Sequence, residues 1–176
     1  MKTLDFLKTE RTIAHPISYE DLQELCEMHQ DPVMMKYMGG IRTAEETKRW
    51  LGEELNRWKT QGFGLWIFRL DLDGSFVGRC GLRRVQLDGE NVVELGYAVT
   101  SLHWGMGLAT EMANAILAVG VKKLELTSVI LLADAANASS RRVAEKLGFH
   151  FERNTIWKSL PTMLYRLDVQ ERLNQR

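Results

Sequence analysis

Two Asp-Gly pairs divide the middle of the chain into three strand-like runs, and this pattern constrains the fold more than any other feature. The pairs are Asp73-Gly74 and Asp88-Gly89. Asp-Gly is typical of tight hairpin turns, because both residues tolerate the positive φ angles that such turns require. The aliphatic and aromatic runs around them span residues 65–70, 75–85 and 92–99. The pattern predicts an antiparallel meander of three strands.

Helical periodicity lies on both sides of the predicted meander. Thr43 and Glu46 have the spacing of a capping box, in which each side chain bonds the other residue's backbone N–H. Leu51, Leu55 and Trp58 follow at helical spacing, so a helix is predicted over residues 44–59. Further helices are predicted over 21–29, 107–122 and 139–147, and further strands over 11–15, 128–133, 150–153 and 163–169. This order of elements predicts an α/β domain with a mixed sheet.

Length and composition restrict the function classes. The 176 residues suit one domain over 1–176, with its core in 7–168 and a polar tail in 169–176. Lys plus Arg and Asp plus Glu both total 23, so a basic nucleic-acid-binding protein is not indicated. No run approaches the roughly 20 apolar residues of a membrane span. Cys26 and Cys80 lack metal-binding or redox spacing, so we expect a cytoplasmic protein without a metal.

The segment that carries chemistry follows the third predicted strand. After residues 92–99 and a short loop, the sequence reads Trp104-Gly105-Met106-Gly107-Leu108-Ala109-Thr110. Glycines at a helix start let the backbone approach a ligand, because no Cβ is in the way. The first turn of a helix has free N–H groups and carries the positive end of the helix dipole. We therefore predict a phosphate or diphosphate site over residues 105–110.

Two alternative roles for this glycine turn stay open at this point. The glycines could only allow close packing of a helix onto a strand. The segment could also be a dinucleotide-binding unit, since Asp134 ends the next predicted strand, where a ribose-binding acid would lie. Against that unit, Thr110 occupies the third glycine position and the turn follows a hairpin meander. A Walker-type P-loop is excluded, because no Gly-Lys-Ser/Thr follows.

Two motifs give the chain a resemblance to GNAT acetyltransferases. Residues 104–109 resemble the family's Q/R-x-x-G-x-G/A signature, with Trp104 at the first position. Thr110-Glu111 extend the match to the W-G-x-G-x-A-T-E form, which is typical of the ribosomal-protein N-terminal acetyltransferase (RimJ/RimL-type) branch. Residues 137–149 resemble that branch's N-x-x-S-x-R-V-x-E-K-L-G-F segment. The runs at 7–11 and 31–34 are similar to its N-terminal pattern.

The resemblance implies a fold and an activity. The fold would be the GNAT fold, a mixed and mostly antiparallel sheet flanked by helices, with a splayed pair of central strands. The activity would be transfer of the acetyl group of acetyl-coenzyme A (acetyl-CoA) to an amine by direct attack. A protein N-terminal α-amine is the expected acceptor. A small amine such as a polyamine, aminoglycoside or amino acid, and a non-catalytic acyl-CoA sensor, are the alternatives. Both a monomer and a homodimer stay open.

The resemblance also assigns roles to individual residues. The backbone of Tyr97, Ala98 and Val99 would pair with the pantetheine arm of the cofactor. Asn137 would hydrogen-bond the cofactor, and Ser140 would protonate the leaving thiolate, although both residue types are also ordinary N-caps. Glu94 would be the general base, or else a partner of Arg83 or Arg84. The residues expected to hold the diphosphate are Trp104, Gly105, Met106, Gly107, Leu108, Ala109 and Thr110.

Overall fold

A computed structural model describes residues 6–169. In this part of the chain, eight strands form one sheet in the order β1-β2-β3-β4-β5-β6-β8-β7. The strands are β1 Leu7–Lys8, β2 Thr12–Pro16, β3 Leu65–Leu70, β4 Phe76–Leu87, β5 Glu90–Val99, β6 Ser128–Asp134, β7 His150–Trp157 and β8 Leu160–Asp168. The helices are α1 Leu22–Gln30, α2 Pro32–Met35, α3 Ala44–Gln61, α4 Leu108–Leu124 and α5 Ala138–Lys146, with 3-10 turns at Tyr19–Asp21 and Ser101–His103. Residues 170–176 of the predicted tail lie outside the described residues.

The predicted meander is confirmed, and its second hairpin is longer than expected. Strands β3, β4 and β5 are antiparallel neighbours. The β4–β5 ladder continues to the pair Leu87 and Glu90, beyond the apolar runs, because polar residues also pair there. Gln86 Nε2 donates to Asn91 Oδ1 at 2.8 Å across the ladder. Side chains of this kind satisfy one another at the solvent-exposed end of a sheet, so hydropathy alone underestimates the length of the strands.

The closing hairpin also differs from the prediction. Strand β7 continues to Trp157 and β8 begins at Leu160, whereas strands over 150–153 and 163–169 were predicted. Most of β7 is exposed, so its sequence has no alternation of apolar and polar residues. The turn is made by Lys158 and Ser159, which have φ values of 48° and 65°. Two-residue hairpin turns with positive φ favour Asn, Asp and Gly, so Lys-Ser gave no hairpin signal in the sequence.

Short elements near the N-terminus were also missed. Strand β1 has two residues, and helix α2 has four. Asp31 caps α2, because its carboxylate accepts from the N–H groups of Val33 and Met34. The helix over 44–59 is confirmed as α3, with the Thr43–Glu46 capping box present. No helix in the described residues is long and apolar enough to cross a membrane.

Helices cover both faces of the sheet. On one face, Met112, Ile116 and Leu117 of α4 pack in the same buried cluster as Cys80 of β4 and Leu95 of β5. On the other face, α1 and α3 pack on β3 through a second cluster. Side chains of a strand alternate between faces. Along β5, residues 95, 97 and 99 therefore face α4, and residues 94, 96 and 98 face α1 and α3.

Candidate active site

The sheet opens between β5 and β6. These strands are parallel neighbours, but only Glu94 and Ile130 are in register. Beyond that pair, β5 stays with β4 as far as Val99, and β6 stays with β8 as far as Asp134. The two strands thus separate toward their carboxyl ends, as the splayed pair was predicted to do. An unpaired strand edge of this kind can bind an extended ligand through backbone hydrogen bonds.

The direction of the backbone groups shows which part of β5 faces this gap. The N–H of Thr100 donates to the carbonyl of Val77 on β4 at 2.9 Å. Since successive residues of a strand point their backbone groups to opposite sides, the groups of Val99 and Tyr97 point away from β4. The backbone groups of Ala98 point toward β4, opposite Arg79, so they are not free to pair with a ligand. The indole N–H of Trp104 donates to the Val99 carbonyl at 2.8 Å.

The glycine turn lies directly after this strand end. Gly105 and Gly107 have φ values of 76° and 78°, and α4 begins at Leu108 without a side-chain cap. A Cβ added to Gly105 would meet no atom within 4 Å, and one added to Gly107 would meet only Arg11 Nη2, at 3.7 Å. Close packing of the helix onto a strand therefore does not explain these glycines. The space before the first turn of α4 is open, and a diphosphate group fits the uncapped N–H groups there.

An ion-pair network that we call the N-terminal clamp (Thr9, Arg11, Glu111) holds the glycine turn. Arg11 Nη1 donates to the Met106 carbonyl at 2.8 Å, and its Nε donates to Glu111 Oε2 at 2.7 Å. The Thr9 hydroxyl donates to Glu111 Oε1 at 2.6 Å. Burial raises the pKa of Glu111, but the hydrogen bonds from Thr9 and Arg11 outweigh it and hold the pKa below its ordinary value. The sequence does not display this role, because Arg11 and Glu111 lie 100 residues apart.

Two hydroxyl groups meet on the α4 face of the gap. Tyr97 Oη lies 2.8 Å from Ser140 Oγ and donates to the Ser140 carbonyl at 3.2 Å. Burial raises the pKa of Tyr97 to about 12, against a smaller lowering by its hydrogen bond to Ser140. The phenol therefore keeps its proton at neutral pH. Asn137 caps α5, because its Oδ1 accepts from the Ser140 N–H at 3.0 Å. Its amide nitrogen is the end of the side chain left for a ligand.

Glu94 lies on the opposite face of the same strand and is only 6% exposed. Arg83 Nη2 donates to Glu94 Oε2 at 2.9 Å, so the ion pair with Arg83 is present. Arg84 instead lies over the ring of Phe63. Gly96 makes room for the ion pair, since a Cβ there would be 3.0 Å from Arg83 Nη2. The general-base role of Glu94 stays a prediction.

A sheet opened between two parallel strands, beside an uncapped glycine turn, is the arrangement that the resemblance to acyl-CoA-binding GNAT acetyltransferases implied. Residues 11–150 match the family model described as an acetyltransferase (GNAT) domain. The Bacillus subtilis protein YkkB is 33% identical over 138 residues, which are 78% of this chain and 80% of that protein. The chain belongs to the GNAT acetyltransferase family and is an acyltransferase. The dinucleotide-binding interpretation is thereby excluded.

Solved structures agree on the fold. An acetyltransferase from Agrobacterium tumefaciens superposes with a TM-score of 0.82 at 24% identity, over 95% of this chain and 96% of that one. The ribosomal-protein-S5-alanine acetyltransferase from Vibrio fischeri superposes with a TM-score of 0.77 at 14% identity, over 93% and 96%. The GNAT fold uses acetyl-CoA. Among the described residues, no three potential metal-ligating side chains lie together.

The N-terminal clamp is open to a direct test with Arg11→Met. We expect the Kd for acetyl-CoA to rise about five- to tenfold, because the turn loses its hydrogen bond at Met106 and its link to α4. Isothermal titration calorimetry measures the change. Lys8→Met is the matched control, since it also removes one positive charge and breaks an exposed ion pair with Asp71. Equal affinities in the two variants would show that the clamp does not position the turn.

Proposed function

We propose that this protein transfers the acetyl group of acetyl-CoA directly to a primary α-amine of the kind found at a protein N-terminus. One observation carries the proposal: Glu94 and the Tyr97–Ser140 hydroxyl pair lie on opposite faces of the strand that borders the gap. A base for the amine and an acid for the thiol are thus available on two sides of one site. The name of the Vibrio fischeri protein supports the acceptor class.

The residues of the gap divide the binding of acetyl-CoA among them. The N–H groups at the start of α4 would hold the diphosphate. Trp104 and the N-terminal clamp would stabilise the turn that carries them. The outward backbone groups of Tyr97 and Val99 would hold the pantetheine arm, and Asn137 would contribute its amide. The bound cofactor supplies an acetyl thioester. A backbone N–H on the open edge of β5 would then stabilise the oxyanion that forms on the thioester carbonyl.

The protons have defined places in this scheme. The amine nitrogen forms a bond to the thioester carbon, the C–S bond breaks, and the amine's proton passes to Glu94, directly or through water. The departing sulfur takes a proton from the Tyr97–Ser140 pair. No acyl-enzyme is needed, and burial raises the pKa of the Cys80 thiol well above its ordinary value, so this group is a poor nucleophile.

The energy of deprotonation favours an α-amine. Neutralising an α-amine of pKa about 8 at pH 7 costs roughly 1.4 kcal/mol, whereas a lysine-like amine of pKa about 10.4 costs roughly 4.6 kcal/mol. A single carboxylate that is already shared with Arg83 suits the smaller cost. Deprotonation of an amine of high pKa would require a site with several carboxylates.

The hydroxyl pair predicts a modest kinetic effect. Tyr97→Phe and Ser140→Ala are each expected to lower kcat about two- to tenfold, because a coenzyme thiol resembles cysteine, with a pKa of about 8.5, and can leave without a donor. Coenzyme release under saturating substrates measures kcat. Tyr165→Phe removes a buried phenol elsewhere in the sheet and serves as the control. Unchanged kcat in both Tyr97→Phe and Ser140→Ala would show that the hydroxyl pair does not protonate the leaving thiolate.

The proposed function itself is tested by coenzyme release with a panel of amines. The panel contains peptides that begin with ribosomal-protein N-termini, the same peptides with blocked α-amines, polyamines and aminoglycosides. We expect turnover with the free peptides and none with the blocked ones. Preference for a polyamine or aminoglycoside would overturn the acceptor class. Binding of acetyl-CoA without turnover of any amine would indicate a sensor.

A further inference from the structure

A cluster of charged side chains lies beside Glu94, on the face of the sheet covered by α1 and α3. We call it the arginine cluster. Its buried carboxylates belong to Glu54 and Glu94. Its cations outnumber them, and they are Arg42, Arg57, Arg79 and Arg83. The exposed Lys158 of the β7–β8 turn faces the same group of charges. Glu46, which also acts on Arg42, is engaged in the capping box with Thr43.

Two of these cations, Arg57 and Arg83, have a carboxylate partner. Arg83 donates to both Glu94 and Glu54, at 2.9 and 3.4 Å. Burial opposes its charge, but the two carboxylates outweigh burial and raise the pKa of Arg83. Arg57 Nε lies 3.5 Å from Glu54 Oε1. The two buried carboxylates are therefore already committed to these arginines.

Arg79 has no such partner. It is 3% exposed, and within residues 6–169 its side chain has neither a hydrogen bond nor an ion pair. Its guanidinium lies over the Trp50 ring, 4.7 Å from the ring centre, in a cation–π contact. Burial, together with the nearby charge of Arg83, lowers the pKa of Arg79 to about 9. Glu54 and Glu94 attract this charge, but neither carboxylate bonds the guanidinium. A buried guanidinium that no carboxylate bonds is unfavourable, so this arrangement is expected to serve a ligand.

The register of the strands places Arg79 on the same face of the sheet as Glu94, nearer the carboxyl end of β5. In the β4–β5 ladder, Arg83 lies opposite Glu94 and Arg79 lies opposite Ala98. Both arginines thus share a face with Glu94, and Arg79 is the one nearer the open end of the gap. Glu54 Oε2 and Arg83 Nε are also buried without a hydrogen-bond partner. Several buried polar atoms of the arginine cluster therefore have no hydrogen-bond partner.

We propose that Arg79 binds a carboxylate of the acceptor, so that the preferred acceptors are amines that also carry a carboxylate. This inference rests on the proposed function and narrows its substrate class. The carboxylate would complete a charge-assisted, two-pronged hydrogen bond with the guanidinium while the amine lies toward Glu94. It could be a free chain end or an acidic side chain. Polycationic amines would meet an excess of like charge in the same place.

The test measures binding of acetylated products, which needs no turnover. One pair of ligands is N-acetyl-Ala-Ala with a free carboxylate and its amide. The other pair is N-acetyl-Ala-Glu amide and N-acetyl-Ala-Gln amide. In calorimetry with coenzyme A present, the carboxylate member of at least one pair should bind about tenfold more tightly. The pair that shows the preference identifies a chain end or a side chain. Equal affinities in both pairs overturn the inference without any variant.

A variant series assigns the preference to Arg79. Arg79→Met should reduce it to within about twofold and should fold with an equal or higher Tm, because it removes an unpaired buried charge. Arg84→Met is the control, since it removes the same charge from a position on the opposite face of β4. A preference that persists in Arg79→Met overturns the assignment.

Turnover then separates this inference from the proposed function. The unacetylated dipeptides are compared for kcat/KM by coenzyme release. Carboxylate-selective product binding without any coenzyme release contradicts the proposed function and leaves the anion site standing. Acetylation of both members of each pair at equal kcat/KM contradicts the anion site and leaves the proposed function standing.

Discussion

Replacing Glu94 with Gln is expected to lower kcat for acetyl transfer by about 10²–10³-fold, within the range of about 10²–10⁴-fold for a positioned general base. Glutamine keeps the shape of the side chain and can still accept a hydrogen bond from Arg83, which now donates at 2.9 Å. It cannot take a proton from the amine. The loss should therefore fall on kcat, measured by coenzyme release, with the Kd for acetyl-CoA unchanged.

The control for Glu94→Gln is Asp21→Asn. Asp21 is also a buried carboxylate, 1% exposed, but it bonds His15 and Ser18 away from the gap. Burial alone raises the pKa of Asp21, but the interaction with His15 and the hydrogen bonds from Ser18 hold the pKa below its ordinary value. The carboxylate is therefore stabilising, and Asp21→Asn should lower Tm and leave kcat unchanged. A Glu94→Gln enzyme that retains at least half of the parental kcat would show that water or another group accepts the proton.

Replacing Gly107 with Val is expected to raise the Kd for acetyl-CoA tenfold or more, roughly 1.4 kcal/mol. Gly107 has a φ of 78°, which a β-branched residue adopts only under strain. The turn would have to change its conformation, and the N–H groups at the start of α4 would no longer converge on the diphosphate. Calorimetric titration with acetyl-CoA measures the loss.

Backbone strain also lowers the stability of this variant, by about 1–3 kcal/mol. The cost arises because residue 107 must keep a positive φ, and the fold is expected to stay largely intact. Gly89→Val is the matched control, because Gly89 has a φ of 85° in the β4–β5 turn. Both variants should lose similar amounts of Tm, and only Gly107→Val should lose affinity. Parental affinity in Gly107→Val would place the diphosphate elsewhere.

Local patterns predicted much of this fold. The Asp-Gly turns, the capping box at Thr43 and the helical spacing after it gave the meander and α3 at the observed places. These features depend on neighbours within a few residues, and a sequence displays such neighbours directly. The β7–β8 hairpin was misplaced for the same reason, because its turn at Lys158 and Ser159 has no local signal.

The site shows the same division. The sequence by itself determined the strand, the glycine turn and the helix start, and its two motifs indicated the family. Tertiary structure alone decided that Arg11 reaches Met106, that Tyr97 meets Ser140, and that Arg79 Nε is buried without a hydrogen-bond partner. These relations join residues that are far apart in sequence, or depend on which face of the sheet each one occupies. Sheet order and strand register determine these contacts, and local sequence propensities encode neither the order nor the register.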